Sequence, residues 1–189
     1  MQRIAYRNKF ASLANGFTLI ELLITLAVGT IVMGIGVPSL LSLVASNHQS
    51  GEINTFVRHL NLARSYAVKT GRDHVLCPST DLLSCHDATR WDQGFILFED
   101  SNENGVREAD ETLVYTSRPS GKFGIDMQST RGRKKIIYRA DGRSAGSNLT
   151  LTFCDPEGDV TPKAVILSNT GRARISRTRW DGSALRCSG

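Results

Sequence analysis

The hydrophobic pattern divides the chain into three stretches. From Phe17 to Ala45 nearly every residue is apolar or small, and Glu21 is the only charged side chain. About 20 apolar residues suffice for a helix to cross a bilayer, so residues 17–45 read as a membrane-spanning segment. Pro38 lies inside it and predicts a kink in a continuous helix. Gly29, Gly34 and Gly36 are tolerated in membrane helices, where they allow close packing. From Ser46 the pattern turns amphipathic. Ile53, Phe56, Val57, Leu60, Ala63 and Ala67 recur at helical spacing, with Glu52, Arg58, Asn61 and Lys69 on other faces. Gly71 is the expected C-cap. One helix is predicted from about Phe17 to Thr70. Only its first half needs lipid; the second half needs a folded domain against its apolar stripe.

Beyond Gly71 the segments are short and strand-like: His74–Cys77, Gly94–Phe98, Thr112–Thr116, Phe123–Gln128, Lys135–Arg139, Leu149–Cys154, Ala164–Ser168 and Arg172–Ser176. Gly, Asn, Asp, Ser and Pro clusters separate them. No second helix has a convincing period, and no repeat or low-complexity linker is present. The expected fold is α+β, a long N-terminal helix packed on a C-terminal antiparallel β-domain. The expected organisation is a leader over 1–16, a transmembrane helix over 17–45, its amphipathic half over 46–71 and a β-rich domain over 72–189.

Glu21 is anomalous. A carboxylate inside a membrane-length segment costs about 3 kcal/mol on insertion scales, so it needs a partner. Ahead of it, residues 1–16 carry Arg3, Arg7 and Lys9, carry no acid, and end in Gly16. An ordinary secretory signal puts its small-residue cleavage site after the apolar region. Here the small residue comes first, so cleavage there would discard the leader and keep the apolar segment. The basic leader followed by Gly16-Phe17-Thr18-Leu19-Ile20-Glu21 resembles the type III signal of prepilins. That resemblance implies cleavage after Gly16 by a prepilin peptidase, methylation of Phe17 and an assembly role for Glu21. An embedded Glu21 is satisfied by the Phe17 amine of a neighbouring subunit, an ion pair in low dielectric. The bland alternative is a plain anchor with a chance glutamate; leader, glycine and spacing together argue against it.

At 189 residues the chain fits one globular domain plus the anchor. Its net charge of +5 hides a strong polarity. Residues 17–117 hold 6 Lys/Arg and 12 Asp/Glu, whereas residues 118–189 hold 14 and 6. Such asymmetry suggests an anionic partner for the basic part, nucleic acid or a membrane surface. The alternative is charge pairing between the halves. The four cysteines, Cys77, Cys85, Cys154 and Cys187, all follow the anchor. An even count in an exported domain favours disulfides. Three pairings are possible, and Cys77–Cys85 with Cys154–Cys187 is preferred: one closes a short polar loop, the other ties the tail back to a strand. Zinc is disfavoured, since no C-x-x-C spacing occurs.

The run Cys77-Pro78-Ser79, Cys85, Trp91-Asp92-Gln93-Gly94-Phe95-Ile96-Leu97-Phe98-Glu99-Asp100, Asn102-Glu103-Asn104-Gly105 and Glu111 resembles the FimT/GspH group of minor pilins and pseudopilins. So does Ser168-Asn169-Thr170-Gly171-Arg172-Ala173-Arg174. The resemblance implies a low-abundance subunit of a type IV pilus or type II secretion pseudopilus, an assembly part and not an enzyme. Its implied partners are other major and minor pilins, the prepilin peptidase and the inner membrane, with the C-terminal domain periplasmic. In the FimT branch a Gly-Arg-x-Arg element is associated with DNA binding during natural transformation; here it is Gly171-Arg172-Ala173-Arg174.

Two basic clusters could meet double-stranded DNA. In the first, Arg172 and Arg174 share a face of a strand, with Ala173 and Ile175 inward. Arg177 and Arg179 have the other parity and reach the same surface only if the strand ends near Ser176. The second cluster is Arg131, Arg133, Lys134 and Lys135. Arginine forks suit phosphates, and such contacts position a duplex without reading sequence. The competing reading is a solvated charged strand. Asp100, Asn102, Asn104 and Glu111, with Gly105 between, have the spacing of an EF-hand calcium loop. Arg107 and the strand-like lead-in depart from that pattern, and a polar hairpin loop is the simpler reading. No catalytic set emerges: His48, His59, His74 and His86 show no ligand spacing. The mature chain is expected to begin at methylated Phe17. Mass spectrometry of its N-terminal peptide checks this, and any other N-terminus contradicts the assignment.

Overall fold

Thr18 opens the long helix. In this computed structural model, which describes residues 16–118, 124–158 and 160–187, the Thr18 carbonyl accepts the Leu22 N–H at 3.1 Å and its hydroxyl accepts the Glu21 N–H at 3.3 Å. Glu21 thereby takes the third helical position, where a capping box places a glutamate. Helix α1 spans Leu19–Thr70. It ends where Gly71 turns left-handed, φ +67°, and donates its N–H to the Ala67 carbonyl at 3.0 Å. The expected leader, residues 1–15 with Arg3, Arg7 and Lys9, lies outside the described residues.

The chain forms two compact units, Met1–Leu40 and Leu41–Gly189. In the first, α1 exposes apolar side chains all round; Leu19, Leu23, Leu26, Ile31 and Ile35 are each more than half exposed. A helix apolar on every face suits lipid or other helices, and this one is long and apolar enough to cross a membrane.

In the second unit the stripe Ile53, Phe56, Leu60, Ala63 and Ala67 is buried. Eight strands follow: β1 (Asp73–Pro78), β2 (Phe95–Asp100), β3 (Leu113–Ser117), β4 (Asp126–Ser129), β5 (Ile136–Tyr138), β6 (Leu149–Cys154), β7 (Lys163–Leu167) and β8 (Ala173–Ser176). They make two four-stranded antiparallel sheets, A in the order β3-β2-β1-β5 and B in the order β4-β6-β7-β8. The α+β expectation holds, with the β-domain resolved into two sheets. Phe56 stands where both meet the helix. Its ring lies edge-on to Phe95 of β2 at 5.5 Å, to Phe153 of β6 at 6.1 Å and to Trp91 at 5.7 Å. Such pairs add about 0.5–1.5 kcal/mol each beyond their area burial.

One expectation shifts. The fourth strand, expected at Phe123–Gln128, forms at Asp126–Ser129, because Gly124 is left-handed, φ +53°, which breaks an extended run. Phe123 itself lies outside the described residues. Strand β1 is buried at all six positions. A second cluster, Val75, Cys77, Ile96 and Phe98, fills the outer side of sheet A beneath Leu82, Cys85 and Leu113. Two polar residues join the buried helix face. Gln49 donates to the carbonyls of Phe153 at 3.1 Å and Thr161 at 3.2 Å. His59, only 3% exposed, stacks on Tyr115 with ring centroids 4.4 Å apart, and neither ring nitrogen has a hydrogen-bond partner.

Burial, aided by the charge of Arg58, holds the His59 pKa below its ordinary 6.5. The unfolded chain therefore takes up a proton that the folded chain resists. This contribution is complete above the unfolded value of 6.5 and is lost as pH falls below it toward the folded value. Replacing His59 with Phe keeps the aromatic stack and removes the titration. Urea midpoints measured between pH 8 and pH 5 should fall less steeply for His59→Phe than for the parent; parallel curves would contradict the assignment.

Candidate nucleic-acid interface

The two faces of sheet B differ because side chains alternate along each strand. Leu149, Leu151, Phe153, Val165 and Leu167 point into the core. Thr150, Ile166 and Arg174 align across β6, β7 and β8 on the opposite face. Arg174 is exposed, and so is Arg172 two residues earlier. Ala173 packs against the core, but Ile175 remains 51% exposed. Strand β8 is the last in its sheet, and Ile175 reaches only a groove beside Ile53 and Asn54 of α1. The expected inward burial of Ile175 is thus not achieved.

The strand ends at Ser176, and the two remaining arginines separate. Arg177 lines the helix-side groove with Lys163. The chain then turns: Thr178 bridges to Ala184 and Arg179 donates its N–H to the Ser183 carbonyl at 2.9 Å. This returns Arg179 to the outer face, where it lines a pocket with Arg131, Thr150 and Thr152. Trp180, 74% exposed, stands near Ile166 and Thr150.

The second basic cluster is divided likewise. Arg133 donates to the Gly146 carbonyl at 2.6 Å, Lys134 pairs with Asp87 at 2.6 Å, and Lys135 donates to the Gly105 carbonyl at 2.8 Å. Arg131 joins the outer face of sheet B beside Thr150 and Thr152, and Arg133 reaches it beside Thr150 and Ile166. Charge pairing between the acidic and basic halves does occur, as Asp73–Arg139, Asp87–Lys134 and Arg90–Asp126. It leaves Arg131, Arg172, Arg174, Arg177, Arg179 and Arg186 without a carboxylate in salt-bridge range among the described residues. Sequence reasoning passed over Arg186. The available signal was its neighbour Cys187: a bridge to Cys154, which shares parity with Thr150 and Thr152, brings Arg186 to the same face.

Gly171 has a steric task in this arrangement. Its φ is +76°, and a Cβ there would lie 2.2 Å from the Gly142 carbonyl oxygen. The turn closes with Gly171 N–H to the Ser168 carbonyl at 2.9 Å and Ser168 N–H to the Arg172 carbonyl at 3.1 Å. The glycine of Gly-Arg-x-Arg thus sets the hairpin that launches β8.

Both disulfides are formed, Cys77–Cys85 across 8 residues and Cys154–Cys187 across 33. Loops of these lengths are worth about 2–4 kcal/mol in the chain-entropy account. In the loop from Asp100 to Glu111, the Asp100 carboxylate accepts the N–H groups of Asn104 at 3.2 Å and Gly105 at 2.7 Å. Glu111 accepts those of Ser101 at 2.9 Å and Glu108 at 3.1 Å. Asn102 and Asn104 turn their amides toward Glu108. Burial pushes the Asp100 carboxyl up, opposed by the Gly105 N–H and reinforced by the charge of Glu111. Among the described residues no group of three or more His, Cys, Asp or Glu side chains is disposed to hold a metal ion. At the other end, Phe17 is 83% exposed, and Glu21 has no ion-pair partner among the described residues. A carboxylate in a first helical turn is favoured by the helix dipole.

A family model described as type II transport protein GspH matches residues 52–171, well over half of the chain. The chain belongs to the GspH family. A second model, the prokaryotic N-terminal methylation motif, matches residues 12–37 and so covers Gly16, Phe17 and Glu21. Among solved structures, the type IV minor pilin FimU of Pseudomonas aeruginosa in one crystal form is 15% identical, with a TM-score of 0.55, over 69% of this chain and 90% of that one. A second crystal form gives 16% identity and a TM-score of 0.49 over 67% and 91%. No curated protein sequence matches. At such identities the FimU likeness is one of fold. The GspH chain is accordingly a minor pilin or pseudopilin, a structural subunit of a type IV pilus or a type II secretion system, with an N-terminal apolar helix that fits a membrane-anchored pilin. The GspH match ends at Gly171, so Arg172, Arg174 and the tail lie beyond it.

Replacing Gly171 with Ala should cost roughly 2 kcal/mol or more, since it adds a Cβ at positive φ against backbone. Thermal or urea unfolding checks this; an unchanged midpoint would show that the hairpin accommodates a side chain.

Proposed function

We propose that this GspH-family chain is a minor pilin of a type IV pilus that also binds double-stranded DNA without sequence preference, as DNA uptake in natural transformation requires. The observation that carries the reading is the set of arginines without carboxylate partners on the outer face of sheet B, Arg172, Arg174, Arg179 and Arg131 foremost. Guanidinium forks there meet phosphates rather than base edges. In this reading the prepilin peptidase cuts between Gly16 and Phe17, Phe17 is methylated, and residues 17–45 hold the chain in the bacterial inner membrane with the β-domain in the periplasm. Residues 46–71 continue that helix into the domain of residues 72–189. Glu21 meets the Phe17 amine of a neighbouring pilin, which fixes the axial step of the filament. The second reading is a pseudopilin of a type II secretion system, favoured by the description of the matching family.

A fluorescent duplex titrated with the full-length chain in zwitterionic detergent tests the DNA reading. The parent should bind with an affinity that falls steeply with salt. Arg172→Ala with Arg174→Ala should lower affinity at low salt by about tenfold or more. An unchanged affinity removes these residues from the interface. Deletion of the gene separates the two readings: loss of transformation supports the pilus, and loss of protein secretion supports the pseudopilus.

A further inference from the structure

The tail after β8 folds into a wall. It doubles back through the Arg179–Ser183 turn, and Cys187 bonds to Cys154 of β6. Between this wall and the outer face of sheet B lies a pocket of about 360 Å³, ample beside the ~30 Å³ share of a liquid water. Three arginines from separate places line it: Arg131 follows β4, and Arg179 and Arg186 come from the two arms of the tail. Thr150 and Thr152 line the same pocket, while the Thr130 hydroxyl beside them is held by the Thr150 carbonyl at 3.2 Å. None of the three guanidinium groups has a carboxylate in salt-bridge range among the described residues. The carboxylate at the pocket edge, Asp126, is taken by Arg90 at 2.8 Å. Asp181 feels the charge of Arg179 but is turned to the N–H and hydroxyl of Ser183.

Three like charges gathered in one recess repel each other, and an entering anion offsets that repulsion. The donors are planar forks and hydroxyls, which match the tetrahedral oxygens of a phosphate group. Arg172 and Arg174 differ in kind, since they project from a strand and enclose nothing. We propose that the pocket formed by Arg131, Arg179 and Arg186 is a phosphate site, which seats one backbone phosphate of a bound DNA strand. The source of that phosphate rests on the DNA-binding reading above; the site does not, because an anionic lipid headgroup carries the same group.

The test uses the full-length chain in zwitterionic detergent. Inorganic phosphate is followed by its ³¹P line width, and a short DNA duplex by fluorescence. The parent should broaden the phosphate line. Arg131→Ala with Arg186→Ala should abolish the broadening, and Arg186→Lys should abolish most of it, because a lysine keeps the charge but not the fork. Diffuse attraction would leave Arg186→Lys like the parent, and that result, or undiminished broadening in the double variant, overturns the site. For DNA, the double variant should weaken binding about tenfold and lower the slope of log affinity against log salt by about one. The charge-matched pair Arg58→Ala with Lys69→Ala, on the exposed side of α1, should change neither. Thermal melts confirm that each variant is folded. If DNA binds the parent and the double variant alike, the pocket is not an anchor and the inference falls, while the DNA reading still stands on Arg172 and Arg174. If the parent binds no duplex, yet phosphate broadening needs Arg131 and Arg186 and is competed by short-chain phosphatidylglycerol, the DNA reading falls and the phosphate site stands with lipid as its source.

Discussion

Phe56 is the contact on which the second unit depends, because its ring touches both sheets at once. Sheet A meets it through Phe95 and sheet B through Phe153, with Trp91 closing the third side. Among the described residues, strands pair only within each sheet; the helix stripe is what lets the two share one core. Ile53, Leu60, Ala63 and Ala67 extend the same contact along the helix. The stripe explains why a helix with an all-round apolar beginning becomes amphipathic from Ser46. One part must tolerate lipid or other helices on every side, and the next must face a protein core on one side only.

With the helix on the inner side, the chemistry of sheet B is left to its outer side. The strand pleat sends Thr150, Ile166 and Arg174 outward at one level, and the tail then covers part of that face. Thr150 and Ile166 are nearly buried although they point away from the core. Sheet A solves the same problem differently, with a second apolar cluster and a disulfide loop over its outer side. One sheet is thereby sealed with hydrocarbon and the other with a polar, cationic wall. The division of charge seen along the sequence becomes a division between faces, because carboxylates of the acidic half occupy Arg139 and Lys134 while the arginines of β8 and the tail stay unpaired.

Much of this was legible in the sequence where one period or one residue type decided the outcome. The helix stripe, the glycine stop at Gly71 and the existence of eight strands followed from spacing and turn residues, with the fourth strand displaced, and the pairing preferred among three for the cysteines is the one formed. What escaped depended on contacts distant in sequence. His59 reads as a surface position by its chemistry, yet Tyr115 and Phe95 cover it. Gln49 looks solvent-facing, yet its amide satisfies carbonyls more than a hundred residues away. The cluster Arg131 to Lys135 looks like one patch, but Asp87, Gly105 and Gly146 each claim one member. Composition counts charges; only the fold says which of them are already spoken for.

The bridge between Cys154 and Cys187 encloses β7 and β8 completely. In its native place it holds the tail against β6, and thiols join only where an oxidant is present. The outer wall is therefore fixed by oxidation. Until then Arg179 and Arg186 ride on an untethered segment and are not held against Arg131. A chain with Cys154 and Cys187 reduced does not hold the completed basic recess. The shape of this surface thus depends on the redox conditions around the chain.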